Sequence, residues 1–252
     1  MLIQYCSDLH LEFPANRTFL ATKPLVPRGR ILILAGDIVP FSSIKAHDAF
    51  FDQLAANFHR VYWIPGNHEY YGGDARVRSG AFQENIRENI ILTNNSVFEE
   101  EGVRFIFSTL WSPIGPRHAV EIEQTLSDFA VIRYGRRKLR AADVNQLHTD
   151  SLAFVKAELA VPTEKKTVLV THHVPTLFHY PEVYRNSVLN EAFAVELFPL
   201  ISDSAISHWI FGHHHFNEAD FTIGKTVLTT NQLGYVERNE NRGFNPERFI
   251  EL

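Results

Sequence analysis

A chain of 252 residues, 45% hydrophobic and 21% charged, is long enough for one large α/β domain and has the composition of an ordinary globular protein. Its formal charge of −5 gives no global attraction to nucleic acid or to an anionic membrane. No run approaches the roughly 20 apolar residues that span a bilayer.

The first apolar run, residues 2–6, reads as a strand that begins almost at the N-terminus. It is not preceded by the basic and long apolar regions of a signal peptide, so a cytoplasmic protein is expected. Cys6, the only cysteine, lies in this run and reads as a small core residue; alone it excludes an intrachain disulfide and nearly excludes thiolate metal binding. Residues 30–35 form a second strand, 43–58 an amphipathic helix, 61–64 a third strand and 75–89 another helix. This β-α-β-α order predicts a layered α/β fold with ligands at the C-terminal ends of its strands. Residues 96–99 and 103–109 are expected to pair as a hairpin turning at Glu101-Gly102.

Residues 112–150 hold no evident strand and contain Pro113, Pro116 and the basic cluster Arg133, Arg136, Arg137, Lys138 and Arg140. They read as a lid or cap inserted over the site within a single domain, residues 1–252. The basic cluster is either a solvated helix face or a device for steering phosphate. Strands resume at 167–171, 208–211, 218–222, 226–230 and 248–251, so the sheet is expected to become mixed or to split in two.

Five short polar motifs fall where strands should end: Asp8-Leu9-His10, Gly36-Asp37, Gly66-Asn67-His68-Glu69, His172-His173 and Gly212-His213-His214-His215. In an extended chain residues i and i+2 point the same way, so Asp8 with His10, and His213 with His215, can each reach one ion. Gly36 allows a sharp turn that leaves Asp37 projecting. Carboxylate, imidazole and amide oxygen suit Mn, Fe or Zn, and the lack of thiolate argues against a structural zinc site. Each motif alone is an ordinary turn or exposed loop. Together they read as one polynuclear metal site.

With these motifs in this order (D-x-H, GD, GNH[DE], a single His, GHxH) the chain resembles the calcineurin-like metallophosphoesterase superfamily over essentially its whole length. The resemblance implies a four-layer α/β/β/α sandwich of two mixed sheets, with two divalent or trivalent transition-metal ions at one edge. Asp8, His10 and His215 would hold the first ion, Asn67, His172 and His213 the second, and Asp37 would bridge both. His172 is preferred over His173 because it directly follows Thr171, as in the family. His68 resembles the family's catalytic histidine, which protonates the departing alkoxide or stabilises the transition state. His173, His214, Tyr184 and Arg185 are candidates for substrate contact, whereas Asn231 and Tyr235 receive no catalytic role.

The implied reaction is in-line attack of metal-bound hydroxide on a small phosphomonoester or phosphodiester, with no protein nucleophile. One departure matters. The phosphoprotein-phosphatase branch extends its second motif to GDxxD, whose last Asp orients the histidine, but Pro40 stands there in this chain. Either His68 acts without that partner or another acid, such as Glu69, orients it. A cyclic-nucleotide phosphodiesterase or nuclease of the same fold is an alternative, and the net charge weighs against a nuclease. A non-catalytic metal-binding scaffold is a second alternative, against which the full ligand set and His68 speak.

Overall fold

In a computed structural model that describes residues 1–252, most of the apolar runs form parallel strands buried on both faces. Such strands read as unbroken hydrophobic stretches rather than alternating ones. The first half of the chain gives β1 (Leu2–Cys6), α1 (Pro14–Thr22), β2 (Ile31–Ala35), α2 (Asp48–Asn57), β3 (Arg60–Ile64), β4 (Phe82–Arg87), β5 (Ile90–Asn94), β6 (Ser96–Glu100) and β7 (Val103–Ser108). The middle adds α3 (Ala119–Thr125), α4 (Asp128–Val131), β8 (Arg133–Tyr134), β9 (Arg137–Lys138) and α5 (Ala141–Leu159). The chain closes with β10 (Lys166–Thr171), α6 (Phe198–Asp203), β11 (Ile206–Phe211), β12 (Phe221–Ile223), β13 (Thr226–Thr230) and β14 (Phe249–Glu251).

Two six-stranded sheets result, ordered β14-β1-β2-β3-β5-β4 and β12-β13-β11-β10-β7-β6. In each, four inner strands are parallel and both edge strands are antiparallel. Alternate side chains of β2 divide between two cores. Ile31, Ile33 and Ala35 meet Phe105, Phe107, Val168 and Val170 of the other sheet, while Leu32 and Leu34 pack with Phe51 and Leu54 of α2. Beyond the second sheet, Leu169 and Trp209 share a core with Val155 of α5 and Ile201 of α6. The layers are therefore α/β/β/α, as expected, and each fully buried Leu, Ile or Phe contributes roughly 1.5–3 kcal/mol.

Three local expectations change. Residues 75–89 are not a helix: a 3-10 turn at Ala75–Val77 leads into β4, an edge strand antiparallel to β5. Its exposure alternates, with Gln83 and Asn85 outward and Phe82 and Glu84 half-buried, so edge pairing overrides the helix propensity of its charged residues. The helix expected at 43–58 divides into a 3-10 segment, Phe41–His47, and α2. The 112–150 segment contains the short β8-β9 hairpin, and α5 runs through residue 150 to pack against the second sheet, where Arg104 of β7 pairs with Glu158. The preceding residues, from Trp111 to Leu139, build an apolar cluster of their own with the first turns of α5.

The 96–108 hairpin turns where expected, with Glu101 and Gly102 both at positive φ (50° and 81°). Cys6 is buried. No helix is long and apolar enough to cross a membrane.

Candidate metal centre

The parallel strands β1, β2 and β3 end on the same edge as β10 and β11, which places all five motifs together. The backbone leaving them is not extended. Asp8, His10, Asp37, His213 and His215 all have positive φ, at 56°, 46°, 55°, 80° and 52°. The i, i+2 pairs therefore converge through alternating left-handed residues rather than through a continued strand. Such residues cost about 1–3 kcal/mol each and persist only where their surroundings over-determine them. Here Asp8 N–H donates to the Gly36 carbonyl and His10 N–H to that of Asp37, each at 2.9 Å, and Gly234 N–H donates to that of Asp8 at 3.0 Å. Close approach also needs glycine. A Cβ on Gly36 (φ 93°) would lie 2.3 Å from His172 Nδ1, and one on Gly66 would lie 2.2 Å from Asp37 Oδ1.

Three groups of donors form, each with its ligand atoms within 4.8 Å of one another: Asp8-His10-Asp37-His215 and Asp37-His172-His213, which contain the expected carboxylate and imidazole ligands, and His10-Glu12-His68 beside them. Asp37 belongs to both of the first two. Its Oδ1 lies 3.4 Å from His172 Nε2 and its Oδ2 3.7 Å from His10 Nε2. Within each of these two groups a pair of imidazoles face each other through nitrogens whose opposite edges are already engaged. His10 and His215 place their Nε2 atoms 2.9 Å apart, while their Nδ1–H groups donate to Glu12 (3.0 Å) and Glu240 (2.6 Å). His172 Nε2 faces His213 Nδ1 at 3.1 Å, with His172 Nδ1–H on the Ala35 carbonyl (2.9 Å) and His213 Nε2–H on that of Ala192 (3.3 Å). Two imidazole lone pairs at such distances repel unless a cation lies beside them. This donor set fits a pair of metal ions, and the buried Asn67 Oδ1, which has no hydrogen-bond partner, adds a further oxygen donor.

Protonation tells the same story. Burial opposes charge on His172 and His215, but Asp37 and Asp8 outweigh it for the first, and hydrogen bonds to Asp8 and Glu240 for the second. Their pKa values rise to about 9 and about 10. Burial lowers His10, reinforced by His68, and lowers His213 strongly, reinforced by His173 and His172. One imidazole of each facing pair is thus cationic and the other neutral, so without metal a proton stands where a cation would. Burial pushes the Asp37 carboxyl up, yet His172 and His68 hold it well below the usual carboxylate range.

The remaining expected residues separate. His68 Nδ1 meets Glu12, Oε1 of which also accepts from His10; its Nε2 lies 3.1 Å from the Tyr235 hydroxyl, and Tyr71 stacks on its ring at 3.9 Å. Glu69 does not orient it. That buried carboxylate accepts the backbone N–H groups of Asp37 (2.9 Å), Ile38 (2.7 Å) and Gly66 (2.6 Å) and the Trp63 indole (3.1 Å), stapling the second and third motifs together. Burial and the charge on Asp37 push its pKa up to about 8.

His173 is buried with Nδ1 on Ser112 and lies outside the donor groups and the pocket wall. Arg185 is exposed and pairs with Glu182, also away from the pocket. His214 and Tyr184 do line the pocket, His214 being held by the Gln232 side chain. The basic cluster is engaged elsewhere: Arg137 binds Asp143, Arg140 binds Glu123 and Lys138 donates to the Ala130 carbonyl, and none faces the pocket.

Three contributors were missed from sequence, Glu12, Asp128 and Glu240, and Tyr235, which was given no catalytic role, lies against His68. Glu12 stands two residues after His10 and was open to the same i, i+2 argument. The others lie in segments with no local motif. Asp128 opens α4 of the inserted segment, and its carboxylate accepts from the Asn67 amide (2.9 Å) and the Tyr71 hydroxyl (2.6 Å), turning Asn67 Oδ1 toward the site. A pocket of about 500 Å³ opens over the centre, walled by Phe13, Tyr71, Tyr180, Tyr184, Phe193 and Tyr235, with Arg238 as its one Lys or Arg.

The profile of the calcineurin-like phosphoesterases matches residues 1–217 of the chain. The chain belongs to this family. It is accordingly a metallophosphoesterase, a hydrolase of phosphoester bonds. An uncharacterised protein of Acanthamoeba polyphaga mimivirus is 30% identical over 277 residues, covering all of the chain and 96% of that protein. Among solved structures, a phosphopantetheinyl hydrolase from Mycobacterium tuberculosis shares the fold with a TM-score of 0.73 at 16% identity, over 98% of this chain and 95% of its own. A dimetal phosphatase from Danio rerio aligns with a TM-score of 0.51 at 13% identity, over 92% of this chain and 87% of its own.

Proposed function

We propose that the chain hydrolyses a small phosphomonoester or phosphodiester at a centre of two transition-metal ions (Mn, Fe or Zn). Asp8, His10 and His215 would hold one ion, and Asn67, His172 and His213 the other, with Asp37 common to both. The observation that carries this reading is the position of Asp37, which turns one carboxylate oxygen toward each of these ligand groups. When bound, such an ion pair neutralises charge on phosphoryl oxygens and acidifies water.

The protein's own part is positioning. Glu12 and Glu240 hold the outer edges of His10 and His215, and Asp128 holds Asn67. His68 presents Nε2 to the pocket, where it can give a proton to the departing oxygen. A single domain is part of the proposal, with the cap expected at 112–150 narrowed to 112–140 because the helix that follows packs on the second sheet; Thr125 to Asp128 of the cap line the pocket. A cytoplasmic setting is also part of it, in keeping with the one free buried thiol. Beyond the ligand Asp37, the pocket wall carries Asp128, Glu237 and Glu240 against the single Arg238, which disfavours polyanions such as nucleic acid. Its aromatic and amide groups suit a neutral arm attached to the phosphate, as on phosphopantetheine.

The test is hydrolysis of p-nitrophenyl phosphate, bis-p-nitrophenyl phosphate and a panel of phosphorylated metabolites, phosphopantetheinyl esters included. Chelator should abolish turnover, and Mn, Fe or Zn should restore it. Full activity in protein shown by elemental analysis to be metal-free would refute the proposal.

A further inference from the structure

We propose that Glu12 is the positioning residue of His68, holding the imidazole so that Nε2 faces the leaving oxygen of the substrate. The inference rests on the phosphoesterase reading above and assigns the partner that Pro40 leaves unsupplied. Glu12 Oε1 lies 2.8 Å from His68 Nδ1 and 3.0 Å from His10 Nδ1. A carboxylate accepts both N–H groups, which fixes the tautomer and the plane of each ring. The other Glu12 oxygen is buried without a partner, so these two imidazoles are the only hydrogen-bond partners of the carboxylate.

Surrounding contacts leave the pair little freedom. The Arg17 guanidinium donates to the carbonyls of Leu11 (2.7 Å) and Glu12 (3.1 Å), fixing the turn that carries the carboxylate. Tyr71 stacks on His68 with 23° between the rings, and its own hydroxyl is tied to Asp128. Only the Nε2 edge remains turned to the pocket, beside the Tyr235 hydroxyl. In the reaction the bond from phosphorus to the leaving oxygen breaks and a bond from phosphorus to the water oxygen forms. The Nε2 proton passes to the leaving oxygen, leaving a neutral ring still protonated at Nδ1, and a proton equivalent to the one given up by the attacking water returns through solvent to restore the imidazolium. A carboxylate on Nδ1 supports that transfer without touching substrate.

Because Glu12 also holds His10, a loss of activity alone would not separate positioning from support of a metal ligand. Leaving-group dependence separates them. In Glu12→Gln, kcat for an alkyl phosphoester, whose alkoxide needs the proton, should fall about 10–100-fold with KM little changed. For the p-nitrophenyl ester, which departs unaided, the fall should stay within about threefold. Because the same substitution weakens the support of His10, both esters are assayed with metal in excess, where elemental analysis should find metal content equal to wild type, and Glu12→Asp should recover part of the alkyl-ester rate. Long-range proton–nitrogen spectra of the metal-free protein should show His68 protonated at Nδ1 and a displaced Nδ1 resonance in Glu12→Gln. Equal losses on both esters accompanied by lost metal would overturn the inference, as would an unmoved His68 resonance. If wild-type protein hydrolyses no phosphoester, the functional reading fails, and the His68 resonance still decides whether Glu12 holds that ring.

Discussion

Single side chains at this site work in pairs of roles, one nitrogen or oxygen turned inward and the other anchored outside. His215 shows the division most clearly, with Nε2 in the donor group and Nδ1–H on Glu240. Outer partners of this kind orient the imidazole and raise its basicity toward metal. Glu240→Gln keeps an acceptor but removes the charge, and it should weaken metal binding by about 10–100-fold. Competition with a fluorescent chelator measures this, and affinity equal to wild type would show that the Glu240 contact does not support a ligand. Neighbouring histidines differ in where the second nitrogen falls: each has its Nδ1 anchored, on the Ala35 carbonyl in His172 and on Ser112 in His173, but His172 Nε2 lies 3.4 Å from Asp37 whereas His173 Nε2 is buried without a partner outside the donor groups.

At the scale of elements, the strands matter for where they stop. β1, β2 and β11 each hand over to left-handed residues within three positions of their last paired residue, and glycine makes room for the side chains that arrive. Gly36→Ala places a methyl group against His172 Nδ1 and the Gly66 amide at a φ of 93°. It should destabilise the fold by about 1–3 kcal/mol from strain, with overpacking adding to that. A urea midpoint indistinguishable from wild type would show that the loop relaxes instead. The elements were unevenly legible in sequence. Parallel inner strands such as β2 announce themselves as apolar runs. β4 pairs on one edge only and carries Gln83, Glu84 and Asn85, so its local pattern resembles a helix until β5 is placed beside it.

For the whole molecule, two sheets packed face to face bring donors from both ends of the chain to one edge, and backbone bonds across that edge hold them there. Ser7 N–H donates to the Asn231 carbonyl (3.1 Å), and Leu233 N–H donates to that of Ser7 (3.2 Å). This assembly links metal binding to protons. In the folded metal-free protein the pKa values of His172 and His215 are raised to about 9 and about 10. Their protonation therefore stabilises that fold fully below the unfolded imidazole value of about 6.5. The contribution is lost as pH rises through the folded values. Metal must displace those protons, so binding two ions near neutral pH should release about two protons, and affinity should rise with pH. Calorimetry in buffers of different ionisation enthalpy counts them. Binding without proton release would mean that the protons on His172 and His215 are not displaced.

Residue types and their order along the chain determined the class of fold, the family and the candidate donors, because apolar period and ligand chemistry are local properties that survive in one dimension. Glu12 was equally local, two residues beyond His10, and was overlooked. The roles of Asp128, Tyr235 and Glu240 were not legible, since they depend on which segments meet from 25 to 167 positions apart. Tertiary structure alone decided that Glu69 staples backbone while Glu12 holds His68, and that Arg185 and the basic cluster turn away from the pocket. The physical reason is that a carboxylate or a guanidinium has no function until its partners are fixed, and here packing of the layers fixes them.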